Sequence, residues 1–426
     1  MEDITAILLH YTDQSALDKA LNSLKQLPTK IKMVYVFLEN NIHLVNRYDD
    51  VQFITIHNQD LGEMLNHLIK HCSSTYLLFM QHTDYIAPGL SAETLKLPKE
   101  KMVIATWPHN RQIHQPFLVR ISLFQGNPFV PIDQLPFKEA FLSAWLFTVD
   151  PKSITLERDL IKQGRENHTA NNVEKQKIMR KYQQTISESS HPTISVMIAN
   201  YNMGSFLEKT ISSCVIQHDS PEQILIIDDG STDDSMKRLE KWNNNQQISV
   251  FSKNNGGKAK ALNELLPHVT TDFVLELDAD DWLDPDAIGV IRKHIADLAA
   301  NVSVLYGNLR KWKQQEGENV QFKRVLQGTP VNNWNQLRNY HFPLGPRVYR
   351  TSFLKKYGGY PVISFENGRL YEDISLLSKL IQKTQFCYRN FTVYNVREHK
   401  ASITRKNRTK WNEFITLLDA NENNQL

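Results

Sequence analysis

Three apolar blocks near the start of the chain recur in the same order and at similar spacing in its second half. Ile4-Thr-Ala-Ile-Leu-Leu-His-Tyr-Thr12 parallels Ile194-Ser-Val-Met-Ile-Ala-Asn-Tyr-Asn202. Lys32-Met-Val-Tyr-Val-Phe-Leu-Glu-Asn40 parallels Gln223-Ile-Leu-Ile-Ile-Asp-Asp229, and Tyr76-Leu-Leu-Phe-Met-Gln-His-Thr-Asp-Tyr85 parallels Phe273-Val-Leu-Glu-Leu-Asp-Ala-Asp-Asp-Trp282. Asn66 and Asn263 fall at the same register before the last pair of blocks. A repeat of this kind implies an internal duplication, each copy burying its own strands. The blocks are short and apolar, as buried strands are. A helical stretch from about Ser205, with Leu207, Ile211 and Val215 on one face, lies between two of them. Strands alternating with helices predict two tandem α/β domains with mostly parallel sheets flanked by helices.

The sequence has 426 residues, room for two or three such domains. The expected boundaries are a first domain over 1–150, a polar and partly helical linker over 151–192, and a second domain over 193–426. The linker expectation rests on the polar stretch 163–172, the charged run 174–182 and the His191-Pro192 break. A formal net charge of +3 is too small to imply a nucleic-acid or membrane partner. No apolar run reaches the length of a membrane span, and the acidic start lacks a signal-peptide n-region. Cys72, Cys214 and Cys387 are odd in number and far apart, which argues against a disulfide framework or a zinc site. A reduced, cytoplasmic setting is expected.

The second copy carries acids where its strands end. Asp278 and Asp280 are two apart, and residues i and i+2 at a strand end project to one side. Such a pair is a claw for a hard divalent cation that shares its other positions with substrate phosphates. Asp228 and Asp229 close the preceding strand, and ligands of parallel sheets bind outside the carboxyl ends of the strands. All four acids are therefore expected to converge on one crevice. Asp228-Asp-Gly-Ser231 also reads as a capped turn, with Asp228 facing the ligand and Ser231 capping a helix. The first copy has Gln81 and Thr83 in place of Asp278 and Asp280, and Glu39-Asn-Asn41 in place of Asp228-Asp-Gly-Ser231. Only Asp84 survives, opposite Asp281. That copy is expected to be folded and catalytically silent.

Asn254-Asn-Gly-Gly-Lys-Ala-Lys-Ala-Leu-Asn263 fails as a P-loop, because Ser252 and Ala259 stand where glycine and Ser or Thr are needed. What remains is a helix start carrying Lys258 and Lys260, a fitting neighbour for an anion. Together with Ala199-Asn-Tyr-Asn202, Asp228-Asp-Gly-Ser-Thr-Asp233 and Leu277-Asp-Ala-Asp-Asp-Trp-Leu283, this loop resembles the motifs of family 2 of the GT-A glycosyltransferases. The resemblance covers about residues 192–405 well and 1–150 weakly. At whole length, degenerate first copy included, the chain resembles a spore-maturation glycosyltransferase-like protein of Bacillus.

The resemblance implies a nucleotide-diphospho-sugar donor, a UDP- or dTDP-sugar, and Mn²⁺ or Mg²⁺. Asp228 would hydrogen-bond the base, with Asp229 beside it and Asn200 and Asn202 on the adjoining loop. Lys258 would sit near the base or phosphates, Asp278 would bind ribose, and Asp280 would ligate the metal. Tyr371-Glu-Asp-Ile-Ser375 resembles the family's Glu-Asp helix, although two acids at a helix start are also what the helix dipole favours. On the family reading Asp373 is the general base that takes a proton from the acceptor hydroxyl, with inversion at the anomeric carbon, and Glu372 orients the acceptor or the base. Arg397-Glu-His-Lys-Ala-Ser402 resembles a C-terminal His-x-x-Ser block, which makes His399 a further metal ligand and brings Ser402 and Arg405 toward the diphosphate.

The implied partners are a nucleotide sugar and a glycan or protein acceptor in cell- or spore-surface glycan synthesis. The first copy would hold the acceptor, form a homo-oligomer or dock an assembly partner. Two other readings are a non-catalytic assembly protein with vestigial nucleotide-sugar binding, and a nucleotidyltransferase, which lacks its phosphate loop here. Trp312 and Trp334 read as sugar-stacking platforms or as packing anchors.

Overall fold

The apolar blocks become strands, of which Ile4–Leu9, Tyr76–Gln81 and Ile194–Asn200 are buried along nearly their whole length, as expected when helices cover a parallel sheet. The computed structural model describes residues 3–27, 31–56, 60–91, 93–108, 112–164, 169–183, 191–316, 319–340, 343–363, 365, 370–400 and 410–423. The chain divides into two units, residues 1–183 and 184–426.

In the first unit, β1 (Ile4–Leu9), β2 (Ile31–Glu39), β3 (Val51–Ile56) and β4 (Tyr76–Gln81) pair in parallel. β6 (Val103–Trp107), β7 (Gln115–Arg120) and β8 (Ile154–Arg158) extend the sheet to seven strands in the order β3-β2-β1-β4-β7-β6-β8. β5 (Asp84–Ile86) pairs separately with β9 (Ile161–Gln163).

The second unit repeats this plan. Its strands are β10 (Ile194–Asn200), β11 (Gln223–Asp228), β12 (Ile248–Ser252), β13 (Phe273–Asp278), β14 (Trp282–Leu283), β15 (Val302–Gln314), β16 (Val320–Leu326), β17 (Arg347–Arg350) and β18 (Gln385–Glu398). They run in the order β12-β11-β10-β13-β17-β15-β18-β14, with β16 paired to β15. β6 runs parallel to β8, as β15 does to β18. β5 pairs antiparallel with β9, as β14 does with β18.

Asn66 and Asn263 make the same clasp in the two units. Asn66 accepts from Phe129 N and donates to Phe129 O at 2.8 and 2.9 Å. Asn263 does the same with Tyr360 N and O, at 2.8 Å each. The clasp satisfies the backbone of an irregular segment, which hydrogen bonds of regular structure do not reach.

Two expectations need correction. Residues 151–192 are not chiefly a linker. β8 and β9 belong to the first unit and take the place that the long strand β18 takes in the second. Leu160, Ile161, Ile178 and Met179 are buried, so this stretch does have a core to join. Residues 165–168 and 184–190 lie outside the described residues. Strand pairing also shifts the alignment of the acids by one. Leu9 pairs with Phe37, and Ala199 with Ile227. Glu39 therefore matches Asp229, and Leu38 matches Asp228.

Candidate active site

β10 is flanked by β11 and β13, with Asn200 beside Asp228 and Ala199 beside Asp278. The two strand-end acids thus lie on either side of the central strand, at the reversal of strand order where α/β sheets open a crevice.

The nucleotide-side acids are heavily engaged. Asp228 accepts from Asn200 Nδ2 at 2.7 Å, from Ser231 Oγ at 2.6 Å and from Ser231 N at 2.9 Å. Ser231 caps no helix, because the next one begins at Ser235 after Asp234; its hydroxyl is turned to Asp228 and Asn202 N instead. Asp228 therefore braces the turn rather than presenting bare oxygens to a ligand. Asp229 accepts from Gly256 N, Gly257 N and Lys253 Nζ at 2.9, 2.7 and 2.9 Å, which ties the glycine loop to the strand end. Gly257 has φ 93, a conformation that a side chain disfavours, and it leads directly into the helix Lys258–Leu265. Asn202 (φ 54) accepts from Thr232 N. The side-chain oxygen of Asn200 is buried with no hydrogen-bond partner among the described residues.

The strand ends at Asp278, Asp280 lies in the turn beyond it, and the two carboxylates have different partners. The cation beside Asp278 is Lys258, at 2.5 Å. Lys258 Nζ also lies 2.8 Å from Glu276 and 3.3 Å from Glu372. Burial works against the Lys258 ammonium, but Asp278, Glu276 and Glu372 outweigh it and hold its pKa well above the ordinary value. Asp280 turns the other way, to His399 Nε2 at 2.8 Å, and the His399 ring rests on Phe206.

Asp281 is buried and accepts from Arg397 N at 2.7 Å. Burial first, then the charges of Asp280 and Asp278, pushes its pKa well up. Arg397 lies over Phe206 and Trp282 and donates to Asp280 O.

On the other side of the crevice, Glu372 and Asp373 begin the helix Glu372–Ile381. Tyr371 enters it in the left-handed conformation, φ 60, with ring contacts to Phe365, Trp411 and Phe414. Asp373 accepts from Ile374 N at 2.8 Å and from Arg347 Nη1 at 3.3 Å. Burial raises the pKa of Glu372 despite Lys258, with Asp373 and Glu276 adding to the rise.

Arg347 and Glu276 were not singled out in the sequence. Arg347 Nη2 lies 2.9 Å from Glu276 and 3.7 Å from Asp278. Glu276 also accepts from the Tyr360 hydroxyl at 3.0 Å, and its side chain is 0% exposed. Burial opposes its charge, but Arg347 and Lys258 prevail and hold its pKa far below the carboxylate range. The available signal was a charge inside an apolar strand, between Leu275 and Leu277 and on the same side as Asp278. Trp312 is wholly buried and donates to Asn395 Oδ1, so it is a packing anchor; Trp334 packs partly buried against the core. Ser402 and Arg405 lie outside the described residues.

Among the described residues the site brings the carboxyls of Glu276, Asp278, Asp280, Asp281, Glu372 and Asp373 together with fewer strong bases, Lys258, Arg347 and, beside Asp280 and Asp281, Arg397. Such an acidic excess favours a bound cation. One carboxylate and one imidazole, Asp280 and His399, suit Mn²⁺ or Mg²⁺ that takes its remaining ligands from water and phosphate. Among the described residues no group of three or more His, Cys, Asp or Glu is arranged to hold a metal.

The second unit is an α/β domain with a mixed sheet flanked by helices, whose acids gather at the carboxyl ends of the parallel strands β10, β11 and β13, the end at which such sheets bind ligands. Residues 195–358, less than half of the chain, match the family model described as glycosyl transferase family 2, so the second unit contains a region similar to that family. The chain is 25% identical over 247 residues to glycosyltransferase GlyA of Streptococcus pneumoniae, covering 53% of this chain and 34% of that protein. It is 28% identical over 170 residues to the poly(ribitol-phosphate) beta-N-acetylglucosaminyltransferase TarS of Staphylococcus aureus, covering 38% and 28%. It is 32% identical over 111 residues to chondroitin synthase of Pasteurella multocida, covering 25% and 12%. The chain thus spans about a third or less of the length of these curated relatives. Among solved structures it is similar to S. aureus TarS 1–349 in complex with UDP-GlcNAc, with TM-score 0.37, 20% identity and coverage of 49% and 60%. A mannosyltransferase of Pyrobaculum calidifontis in complex with GDP-Man and Mn²⁺ gives TM-score 0.35, 18% identity and coverage of 55% and 66%. Among the described residues no helix is long and apolar enough to cross a membrane.

Proposed function

We propose that the second unit transfers a sugar from a nucleoside-diphosphate sugar to an acceptor hydroxyl, with a divalent cation and inversion at the anomeric carbon. The observation that carries this reading is the buried charge cluster itself, because the chain contains an internal comparison without it. The helix Leu61–His71 starts where Lys258–Leu265 does relative to the two asparagine clasps, so Leu61 matches Lys258. Strand pairing matches Leu78 to Leu275 and Leu118 to Val348. One residue along from each, Phe79 replaces Glu276 and Phe117 replaces Arg347. The clasps match Phe129 to Tyr360. The same fold is thus built with Leu and Phe, and an apolar substitute for buried ion pairs is commonly neutral or stabilising. The charges are not needed to fold this sheet, which supports a role in chemistry.

In this reading Asp280 and His399 hold the cation, and Asp278, fixed by Lys258, faces the ribose. The bound cation would stabilise the charge that develops as the nucleoside diphosphate leaves. Asn200, Asn202 and Asp229 shape the nucleotide loop, with the free Asn200 oxygen offered to a donor on the base, and Asp228 holds that loop from behind. Asp373 lies beside Arg347 at the start of the helix Glu372–Ile381, where it would act as the general base. Glu372 stands next to it on the acceptor side. The donor is a UDP- or dTDP-sugar with Mn²⁺ or Mg²⁺. The acceptor is a surface glycan or glycoprotein, with the spore surface the setting that the sequence resemblance implies, and the chain acts from the cytoplasm. The first unit is a silent copy that serves binding or assembly. Metal-dependent hydrolysis of nucleotide sugars by the full chain tests the reading. Release of pyrophosphate from a nucleoside triphosphate and a sugar 1-phosphate instead would indicate nucleotidyl transfer, and release of neither product would favour a non-catalytic assembly protein.

A further inference from the structure

We infer that Arg347, anchored by Glu276, is a positioning residue that ties the acceptor-side base Asp373 to the donor-side carboxylate Asp278. The inference rests on the donor and base roles proposed above and adds the element that couples them. One guanidinium spans both sides of the crevice: Nη1 reaches Asp373 Oδ2 at 3.3 Å, and Nη2 lies 2.9 Å from Glu276 and 3.7 Å from Asp278. Glu276 is in turn fixed by Lys258 at 2.8 Å and by the Tyr360 hydroxyl at 3.0 Å. Tyr360 is itself held through its backbone by Asn263. The lattice runs from the glycine-loop helix, through β13 and β17, to the start of the helix Glu372–Ile381.

Two observations argue that this lattice serves position rather than stability. The first unit keeps the asparagine clasp and fills the other places with Leu61, Phe79, Phe117 and Phe129. Phe79 lies 5.8 Å from Phe129 in an edge-on ring contact, an ordinary core solution. The second observation is Arg347 Nε, buried with no acceptor among the described residues. An arginine placed only for stability would be expected to satisfy that donor, since leaving it bare has a cost. Here the two Nη groups are placed on three carboxylates from two elements, β13 and the helix Glu372–Ile381, and Nε is left over.

The test compares wild type with E276Q/R347Q, which removes both charges without stranding either in the interior, and with R347K, which keeps the charge but not the two-armed fork. UDP, dTDP and GDP with Mn²⁺ are the binding probes in calorimetry. Release of the nucleoside diphosphate from its sugar conjugate, with water as acceptor, gives kcat and donor KM. The double variant should unfold at a temperature near wild type and keep nucleotide affinity and donor KM within about threefold. Its kcat should fall by about 100-fold, the scale of a misplaced catalytic group. R347K should recover part of that loss. A folded double variant with kcat within about threefold of wild type overturns the inference. So does equal loss of binding and turnover, which would place Arg347 in the donor site alone. A wild type that binds no nucleotide is seen in its own arm of the experiment and sinks the donor reading together with this role.

Discussion

Asp84 is the one acid of the metal-side cluster that the first unit retains, and it should be structural. Its side chain is 0% exposed and accepts from Gln81 N at 3.1 Å, Gln115 Nε2 at 2.7 Å and Gln163 Nε2 at 2.8 Å. Those bonds fasten β5 to the end of β4, to β7 and to β9. Asp84→Ala strands three donors in a dry site. At about 1–3 kcal/mol for each buried donor left unpaired, and with the terms not strictly additive, the loss is roughly 3–5 kcal/mol. For a unit of this size that lowers the midpoint by roughly 6–20 °C. Thermal unfolding followed by hydrogen exchange resolves the two units separately. Peptides spanning 76–86 and 154–163 should lose protection early, while those of 194–283 do not change. Nucleotide binding and turnover at 25 °C should stay at wild-type levels. A shift under about 2 °C would refute the structural assignment, and a large loss of turnover in the folded protein would refute the silent copy.

Other consequences concern the second unit and the acid behaviour of the first. Asp373→Asn should leave nucleotide affinity unchanged and lower transfer by about 100-fold or more, as loss of a general base does; parallel loss of binding would contradict the division of roles. His399→Ala should raise the Mn²⁺ concentration needed for half-maximal binding, and an unchanged titration would remove it from the site. Glu39 is held at a pKa of about 2 by His10, against burial, with Lys138 assisting, below the ordinary 4.5. Its charged form therefore stabilises the first unit above about pH 4.5, and that contribution disappears as pH falls toward 2. Glu39→Gln should flatten the acid limb of the first unit's stability, and an unaltered acid transition would count against the contact.

The duplication was legible because central parallel strands are contiguous apolar runs, and three of them recur in order. β8 and β9 were not, because β8 has half-exposed and exposed residues at the sheet edge and reads like polar connecting chain. The acids at the strand ends were legible for the same reason as the strands, since a run that stops in Asp marks its own end. Their individual geometry was not. Spacing brought Asp278 and Asp280 together, but the strand stops between them, and Lys258 claims one while His399 takes the other. Asp228 was read as facing ligand, yet its oxygens go to Asn200 and Ser231. The Glu276–Arg347 lattice stayed hidden because its members come from separate elements far apart in sequence. Phe79 and Phe117 in the matching places of the first unit mark the charges as dispensable for the fold.

The central claim is that the second unit's acidic crevice binds a nucleoside diphosphate through a cation held at Asp280. Calorimetry of UDP, dTDP and GDP, with and without Mn²⁺, on wild type and Asp280→Asn tests it most directly. The account predicts Mn²⁺-dependent binding of one nucleotide by wild type and its loss in the folded variant. Binding that is indifferent to Mn²⁺ or to Asp280, or no binding of any nucleotide by folded wild type, would contradict it.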